Sequence, residues 1–339
     1  MKTRIIGTGS FIPPDILTND TLSQMVDTSD EWIRTRTGIR SRHIAVQMDN
    51  ADMAYAAAKN AIDNAGINSS QVGLIITATS TPDYSFPNQS SLVQERLEAA
   101  GAVCFDVSAA CSGFIVALDI ADSMLKTGSY EYALVIGSEK MSEIVDWKDR
   151  NVCVLFGDGA GAVVLKKEND SNNYDVSVRG IIDIDINNDG NGAHVLTGGK
   201  REANNSFNGN VKGDRMNGKI SSNDSFIHMN GQEVFRFAVK KVPQTIEALL
   251  ARNNLTVDDI SQFILHQANI RIIESVAKRL GSNMDKFPVN LSGLGNTSSA
   301  SIPVLLDELN RKEKLKKGER IILAGFGAGL SWGSILLKW

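Results

Sequence analysis

The chain has 339 residues, of which 42% are apolar and 22% charged, with a formal net charge of −4. This composition is typical of a globular protein with one large or two smaller cores, and the charge gives no overall reason to expect nucleic acid. No run approaches the roughly 18 apolar residues of a membrane helix, and glycines interrupt the N-terminal stretch before a signal-like core forms. Three cysteines without metal-like spacing indicate reduced thiols. We therefore expect a soluble, cytoplasmic protein that binds neither membrane nor nucleic acid.

The first half of the chain alternates strand and helix patterns. The predicted elements are a strand at 3–8, a helix at 50–65, a strand at 72–79, a helix near 88–100, a strand at 103–107, a helix from 114, the strand YALVIGSE at 132–139 and the segment FGDGAGAVVLKK at 156–167. Strands that alternate with helices predict an α/β layered architecture.

The second half repeats this order. Its predicted elements are a helix at 234–253, a strand at 262–265, a helix at 270–280, a strand at 287–291, an apolar stretch at 302–309, the strand RIILAGFG at 320–327 and the segment FGAGLSWGSILLKW at 326–339. VCFDVSAACSGF matches FPVNLSGLGNTS, and FGDGAGAVVL resembles FGAGLSWGSILL. We predict a duplication, with one half at 1–170 and the other at 171–339.

A polar segment lies between the most regular parts of the two halves. After a strand-like run at 176–186, residues 187–225 are crowded with Asn, Asp, Gly and Ser. These residues favour turns and bury little surface. A loop of this length in a compact protein is either disordered or covers a site.

Cys111 is the candidate nucleophile. It lies in a turn of small residues between the apolar strand at 103–107 and a helix whose apolar residues begin at Phe114. The free backbone N–H groups and the positive dipole end at a helix start favour a thiolate. The alternative is a cysteine that serves as a small core residue.

Two other residues occupy equivalent strand ends. His266 follows the strand QFIL, and Asn296 lies in the turn GLGNTSS. Taken singly, His266 is equally consistent with a hydrogen-bonded core histidine, and Asn296 with ordinary turn chemistry. Together with Cys111 they predict one site, in which the thiol attacks and the two side chains donate hydrogen bonds to a developing oxyanion. The backbone of the FGAG turn can complete that oxyanion hole. We expect no general-base carboxylate, because no Asp or Glu is found at a strand end comparable to those of Cys111, His266 and Asn296.

Several motifs together resemble the β-ketoacyl-acyl carrier protein synthase III family. They are DVSAACSGF, HQAN, GNTS, the paired FGDGAGAVVL and GFGAGLSWGS, and the opening GTGSFIPP with DEWIRTRTGIRSRH. The resemblance extends over nearly the whole chain. It implies a thiolase-like fold, with duplicated βαβαβαββ halves in a five-layer αβαβα sandwich, and a homodimer.

The resemblance also implies an activity. Such an enzyme is an acyltransferase that condenses an acyl-CoA primer with malonyl-acyl carrier protein, with loss of CO2, and so initiates type II fatty acid synthesis. Acyl-CoA and the malonyl carrier protein are then substrates, and we expect no cofactor and no metal.

Residue roles follow from the resemblance position by position. Cys111 is implied to carry the acyl group, while His266 and Asn296 support malonyl decarboxylation and hold the enolate. The remaining implied roles are CoA adenine and phosphate binding by Trp32, Arg36 and Arg150, pantetheine contacts by Gly231 and Asn269, carrier-protein docking by Arg236, Arg271 and Lys278, and an acyl-pocket wall from Phe86 across the dimer. Without the resemblance, the Trp32 group would be interpreted as ordinary surface packing.

The sequence departs from the family pattern at three places. Ser299 replaces the usual Ala after GNTS, and Ala328 stands where a third consecutive Gly is common. The segment at 187–225 is longer and more polar than the family norm, so we carry over no acyl-chain preference.

Three competing functions are considered. They are a related acyltransferase of specialised metabolism with a different acceptor, a papain-like cysteine hydrolase and a non-enzymatic acyl-CoA-binding scaffold. The presence of both HQAN and GNTS favours condensation over the first. Cys111 lacks the local signature of papain-like enzymes, and an intact set of nucleophile and donors argues against a mere scaffold.

Overall fold

Two mixed β-sheets, with helices between and outside them, make up the fold. The computed structural model describes residues 2–168, 179–199 and 225–339. The strands are β1 Lys2–Phe11, β2 Asp15–Thr18, β3 Ser41–Ile44, β4 Val72–Ala78, β5 Val103–Val107, β6 Tyr132–Glu139, β7 Gly159–Glu168, β8 Gly180–Asn188, β9 Leu196–Thr197, β10 His228–Met229, β11 Gln262–Leu265, β12 Arg320–Gly327 and β13 Ser331–Lys338. The α-helices are α1 Asn19–Leu22, α2 Asp30–Thr37, α3 Asn50–Ala65, α4 Gln89–Leu97, α5 Gly113–Thr127, α6 Gly231–Arg252, α7 Ile270–Arg279, α8 Leu291–Leu294 and α9 Ser301–Arg311.

The two large sheets share the order of four strands. The first is β1-β7-β6-β4-β5, and the second is β8-β13-β12-β11. In the first, β4 is parallel to β5 and β6, while β7 is antiparallel to both of its neighbours. In the second, β11 is parallel to β12, and β13 is antiparallel to both β12 and β8. The second sheet therefore repeats the first without a counterpart of β5. The boundary expected at residue 170 lies outside the described residues.

Helices fill the space between the sheets and cover their outer faces. Helix α5 contacts β4 and β6 on one side and β12 and β13 on the other, and α9 likewise touches both sheets. Such a position requires a helix with apolar residues on opposite faces, and α5 buries Phe114, Ile115, Leu118 and Leu125. Helices α3 and α4 cover the first sheet, and α6 covers the second with α7 packed against it. The expected five-layer αβαβα sandwich is confirmed.

One predicted strand is absent. Residues 287–290 have no regular structure, and α8 begins at Leu291. Pro288 has no N–H to donate to a ladder, and the ring of Phe287 stacks on that of Phe263, with centroids 4.7 Å apart. The apolar pattern here reflects packing in the core and not strand pairing.

A helix that spans a membrane needs about 18 or more mostly apolar residues. No helix among residues 2–168, 179–199 and 225–339 is long and apolar enough to cross a bilayer.

Candidate active site

A cavity of about 1600 Å³ lies between the two halves. Its wall includes Cys111 from the first half and His266 and Asn296 from the second. The structure thus brings together the three residues that the sequence placed at equivalent strand ends.

Cys111 lies in a single 3-10 turn, Ala110–Ser112, that leads directly into α5. The turn between β12 and β13 presses against it, because a Cβ added to Gly327 would lie only 2.9 Å from the backbone nitrogen of Cys111. Gly327, Ala328 and Gly329 of that turn also line the cavity. The backbone of the FGAG segment is therefore close to Cys111, and its role as an oxyanion hole stays a prediction.

The protonation state of Cys111 differs from the sequence expectation. The side chain is buried, with 7% of the residue exposed. Burial raises the pKa of the Cys111 thiol to about 12, because the low-dielectric surroundings disfavour the thiolate. The hydrogen bond to Ser298 opposes this rise and the nearby charge of Glu139 adds to it. The resting group is therefore a neutral thiol, and the prediction that the helix start yields a thiolate is wrong for the resting side chain.

His266 immediately follows β11 and is fixed by its backbone. Its N–H donates to the carbonyl of Ala324 at 2.8 Å, and its ring stands edge-on to Phe326 with centroids 5.1 Å apart. Burial lowers the pKa of His266 to about 3. Among the described residues its Nδ1 has no hydrogen-bond partner. His266 is therefore a neutral imidazole at any ordinary pH.

Asn296 connects two loops at the base of the cavity. Its backbone N–H donates to the carbonyl of Leu155 at 2.8 Å, and its own carbonyl accepts from Gly157 at 3.1 Å. The side-chain Oδ1 accepts the N–H of Ser298 at 2.8 Å. Because an N–H needs an oxygen acceptor, this bond fixes the orientation of the amide. The Nδ2 group then remains as a donor for the cavity.

A carboxylate that the sequence reasoning missed lies behind these groups. Glu139 is the last residue of β6 and has no exposed surface. Its Oε1 accepts the hydroxyls of Ser298 at 3.0 Å and Ser299 at 2.8 Å. Its Oε2 accepts the N–H of Ser80 and the hydroxyl of Thr81, both at 2.9 Å.

Glu139 is connected to Cys111 by one side chain. The thiol of Cys111 donates to Ser298 Oγ at 3.4 Å, and Ser298 in turn donates to Glu139. The expectation that no carboxylate takes a comparable position is therefore wrong. The available signal was an acidic residue closing the apolar strand YALVIGSE, at the same sheet edge as Cys111.

The residues assigned to the adenine site form a cluster that includes Trp32, Arg36 and Arg150. The guanidinium carbon of Arg36 lies 4.5 Å from the Trp32 ring centroid, and that of Arg150 lies 5.4 Å from it. The Nη1 of Arg150 also donates to the backbone carbonyl of Asp27 at 2.8 Å. A ring stacked between Trp32 and Arg150 needs about 7 Å, or two aromatic contact distances. Arg150 therefore has to move outward for a purine to enter between them.

The other assigned residues take different positions. Gly231 and Asn269 line the cavity at the starts of α6 and α7, and Asn269 Oδ1 accepts the N–H of Arg271 at 2.9 Å. The ring of Phe86 is not part of the cavity wall in a single chain, and 86% of the residue is exposed. Arg236, Arg271 and Lys278 are all exposed on α6 and α7.

The flanks of the polar insertion also reach the cavity. Strand β9 pairs with β10, and the wall includes Leu196 and Thr197 from one flank and Met229 from the other. Two further histidines, His194 and His228, line it as well. The described ends of this segment thus favour the site-covering interpretation, while residues 200–224 lie outside the described part.

Known proteins resemble this chain over its full length. Residues 105–190 match the family profile described as 3-Oxoacyl-[acyl-carrier-protein (ACP)] synthase III, and residues 250–339 match the profile of its C-terminal part. A Clostridium botulinum (strain Okra / Type B1) protein named Beta-ketoacyl-[acyl-carrier-protein] synthase III is 49% identical over 335 residues, covering 99% of this chain and 98% of the relative. A Clostridium acetobutylicum protein of the same name is 46% identical, covering 100% of this chain and 99% of the relative. The crystal structure of 3-oxoacyl-[acyl-carrier-protein] synthase III from Aquifex aeolicus VF5 has a TM-score of 0.88 at 42% identity, covering 99% of this chain and 100% of that one.

Proposed function

The chain belongs to the β-ketoacyl-[acyl-carrier-protein] synthase III family, and we propose that its central cavity performs the decarboxylating condensation that starts fatty acid synthesis. An acyl-CoA primer and malonyl-acyl carrier protein are the substrates, and 3-oxoacyl-acyl carrier protein is the product. The observation that carries the proposal is the meeting of Cys111, His266 and Asn296 in one cavity.

In the first half-reaction, Cys111 takes the acyl group. Its sulfur attacks the thioester carbonyl of acyl-CoA, the carbon–sulfur bond to CoA breaks, and an acyl-enzyme remains. The tight contact of Gly327 with Cys111 supports an oxyanion hole formed by backbone N–H groups of the FGAG turn.

In the second half-reaction, His266 and Asn296 act on the malonyl group. Loss of CO2 leaves a thioester enolate, whose negative oxygen needs hydrogen-bond donors in a water-poor site. The neutral imidazole of His266 and the Nδ2 group of Asn296 are suited to this role, since each donates a hydrogen bond without bringing a charge. The enolate carbon then attacks the acyl group on Cys111. The proposed steps use only these side chains and backbone groups, so we propose no cofactor and no metal.

The CoA moiety enters past Trp32, Arg36 and Arg150. Guanidinium groups that already lie over an indole ring can hold an adenine by stacking and the phosphates by charge. Gly231 and Asn269 then border the path of the pantetheine arm.

The carrier protein docks on the surface formed by α6 and α7. Arg236, Arg271 and Lys278 are exposed there, and none of the three forms an ion pair with a described residue. Unpaired positive charge attracts an acidic partner and speeds its approach. Arg271 also holds α2 in place, because its Nη2 donates to the carbonyl of Thr35 at 2.8 Å.

A second copy of the chain is proposed to complete the acyl pocket. Tyr84 is 58% exposed and Phe86 is 86% exposed, although both are large apolar side chains. Tyr84 lies on the cavity wall, so a partner seated over this loop adds apolar surface next to the site. Sedimentation should give the mass of a dimer, and a monomer at assay concentrations would contradict this arrangement.

The location proposed for the enzyme is the cytoplasm. All three cysteines are unpaired, and the mechanism depends on a reduced Cys111. A reducing compartment preserves that thiol.

A labelling experiment tests the proposed function. The protein is incubated with radiolabelled acetyl-CoA, with and without malonyl-acyl carrier protein. Without malonyl-acyl carrier protein we expect the label on Cys111. With it we expect the label in a 3-oxoacyl carrier protein, with release of CO2. Labelled protein that only hydrolyses, or binding without covalent label, would contradict the proposal. The specialised acyltransferase remains the less favoured alternative, and an acceptor other than the carrier protein would identify it.

A further inference from the structure

The proposed acyl transfer lacks an obvious acceptor for the proton of Cys111. The thiol must lose this proton to become nucleophilic, yet burial holds its pKa at about 12. His266 is a poor acceptor, because burial lowers its pKa to about 3. Among the described residues the thiol donates a hydrogen bond to Ser298 Oγ at 3.4 Å, which offers the proton a path.

We propose that Glu139 is this proton acceptor and that the hydroxyl of Ser298 carries the proton to it from Cys111. The inference rests on the proposed function, because it concerns the activation of the same nucleophile. It adds a buried carboxylate to a mechanism that otherwise has only hydrogen-bond donors.

The hydrogen bonds run in the direction that such a transfer needs. Cys111 Sγ lies 3.4 Å from Ser298 Oγ, which lies 3.0 Å from Glu139 Oε1. Ser298 therefore accepts one hydrogen bond and donates the other, as a hydroxyl that passes a proton must. Its position is fixed by the bond from its N–H to Asn296 Oδ1 at 2.8 Å.

The transfer balances without any further reactant. The S–H bond of Cys111 breaks as Ser298 Oγ takes that proton and gives its own to Glu139 Oε1. The thiolate then attacks the acyl-CoA carbonyl, and the bond from that carbon to the CoA sulfur breaks. The proton returns from Glu139 through Ser298 to the departing CoA thiolate, so the carboxylate is restored.

Electrostatics favours this path over loss of the proton to water. If Cys111 ionised alone, the thiolate and the Glu139 carboxylate would be two buried negative charges joined by a single hydroxyl. Transfer through Ser298 moves the negative charge from Glu139 to Cys111, so the site still holds a single buried negative charge. Glu139 is suited to accept, because burial raises the pKa of its carboxyl while hydroxyl and N–H donors hold it in place.

Other charged groups nearby do not take part. Lys140, next in sequence to Glu139, pairs with Glu143 at 2.8 Å. Asp106, on the cavity wall, accepts the N–H groups of Gln89 and Ser90 at 2.6 and 2.9 Å. Among the described residues the hydrogen bonds and ion pairs of Glu139 include no cation that would neutralise it.

The pH profile of Cys111 alkylation provides a specific test. Iodoacetamide reacts with the thiolate, and mass spectrometry separates adducts on Cys111 from those on the other two cysteines. A proton shared within a coupled pair gives a thiolate fraction that does not depend on pH between the two titrations. We therefore expect a flat profile for wild type, and a rate that rises tenfold per pH unit for Glu139→Gln, in which Cys111 titrates alone. A tenfold rise per unit in both proteins would overturn the proposal.

Acyl transfer gives a second measurement. A general base contributes typically about 100- to 10,000-fold, so Ser298→Ala and Glu139→Gln should slow CoA release from acetyl-CoA by a factor in this range. Ser112→Ala is the matched control, because its buried hydroxyl also neighbours Cys111 but bonds to Ala109 and Ser331. The control should stay within about threefold of wild type.

The outcomes separate this inference from the proposed function. If wild type acquires no acyl label, the proposed function fails. If wild type is labelled and both relay variants are labelled as fast as Ser112→Ala, only the relay fails. A purely electrostatic role for Glu139 predicts instead that Glu139→Gln speeds CoA release, because removing the charge lowers the pKa of Cys111.

Discussion

His266 should remain uncharged far below the pH at which histidines normally titrate. Burial lowers its pKa from 6.5 to about 3, and no other cause contributes to the shift. A shift of this size disfavours the imidazolium in the folded protein by about 5 kcal/mol. The decarboxylation step should therefore show no acidic limb from His266 between pH 5 and 8.

The same shift makes folding stability depend on pH. Below pH 6.5 His266 is protonated in the unfolded chain. In the folded chain it stays neutral until the pH falls to about 3. Stability is therefore fully present above pH 6.5 and is lost as the pH falls toward 3. Between pH 7.5 and 4.5 the loss from this residue is about 3 kcal/mol. His266→Phe, which substitutes an uncharged ring, should not show that part of the loss.

Two measurements test this reasoning. The chain has four histidines, so ring signals of isotope-labelled histidine can be followed from pH 8 to 4, and the signal missing in His266→Phe identifies His266. We expect no titration of that signal. Urea unfolding of wild type and variant at pH 7.5 and 4.5 then gives the difference in stability. A His266 midpoint near 6.5, or equal losses in both proteins, would refute the assigned burial effect.

Three further predictions concern the enolate, the docking surface and the packing of the two halves. Asn296→Ala should slow malonyl decarboxylation by about 100- to 1000-fold, and comparable slowing of acyl transfer to the cysteine would contradict the assigned role. Lys278→Glu should raise the KM for malonyl-carrier protein and flatten its salt dependence, whereas Lys316→Glu, at an exposed position outside α6 and α7, should not. Gly161→Ala should destabilise the protein by about 1 to 3 kcal/mol, because its Cβ would lie 2.6 Å from the backbone nitrogen of Val304. Gly293→Ala, where a Cβ meets nothing within 4 Å, is the control for thermal unfolding.

Local sequence patterns predicted those site residues whose positions depend only on neighbouring residues in the chain. Cys111 and His266 each follow an apolar strand, so their positions at strand ends could be inferred from residues beside them in the chain. The repeated motifs extended this inference to Asn296 and to the duplicated order of elements.

The features that were missed depend on contacts between distant residues. Glu139 and Ser298 are 159 positions apart, and their hydrogen bond exists only once the two halves have packed. The raised pKa of Cys111 likewise comes from burial by both halves, which the helix start alone does not reveal. The strand predicted at 287–291 failed for the same reason, since its apolar residues pack in the core without pairing.

The glycines at the seam have an evolutionary consequence. At Gly137 an added Cβ would lie 2.4 Å from the carbonyl oxygen of Ser299, and at Gly327 it would meet the backbone of Cys111. In each pair the glycine of one half leaves the space that the backbone of the other half occupies. After the duplication, neither half could change these positions independently. We therefore expect an exchange of one half with a relative to be productive only when both parents have the same small residues at these positions.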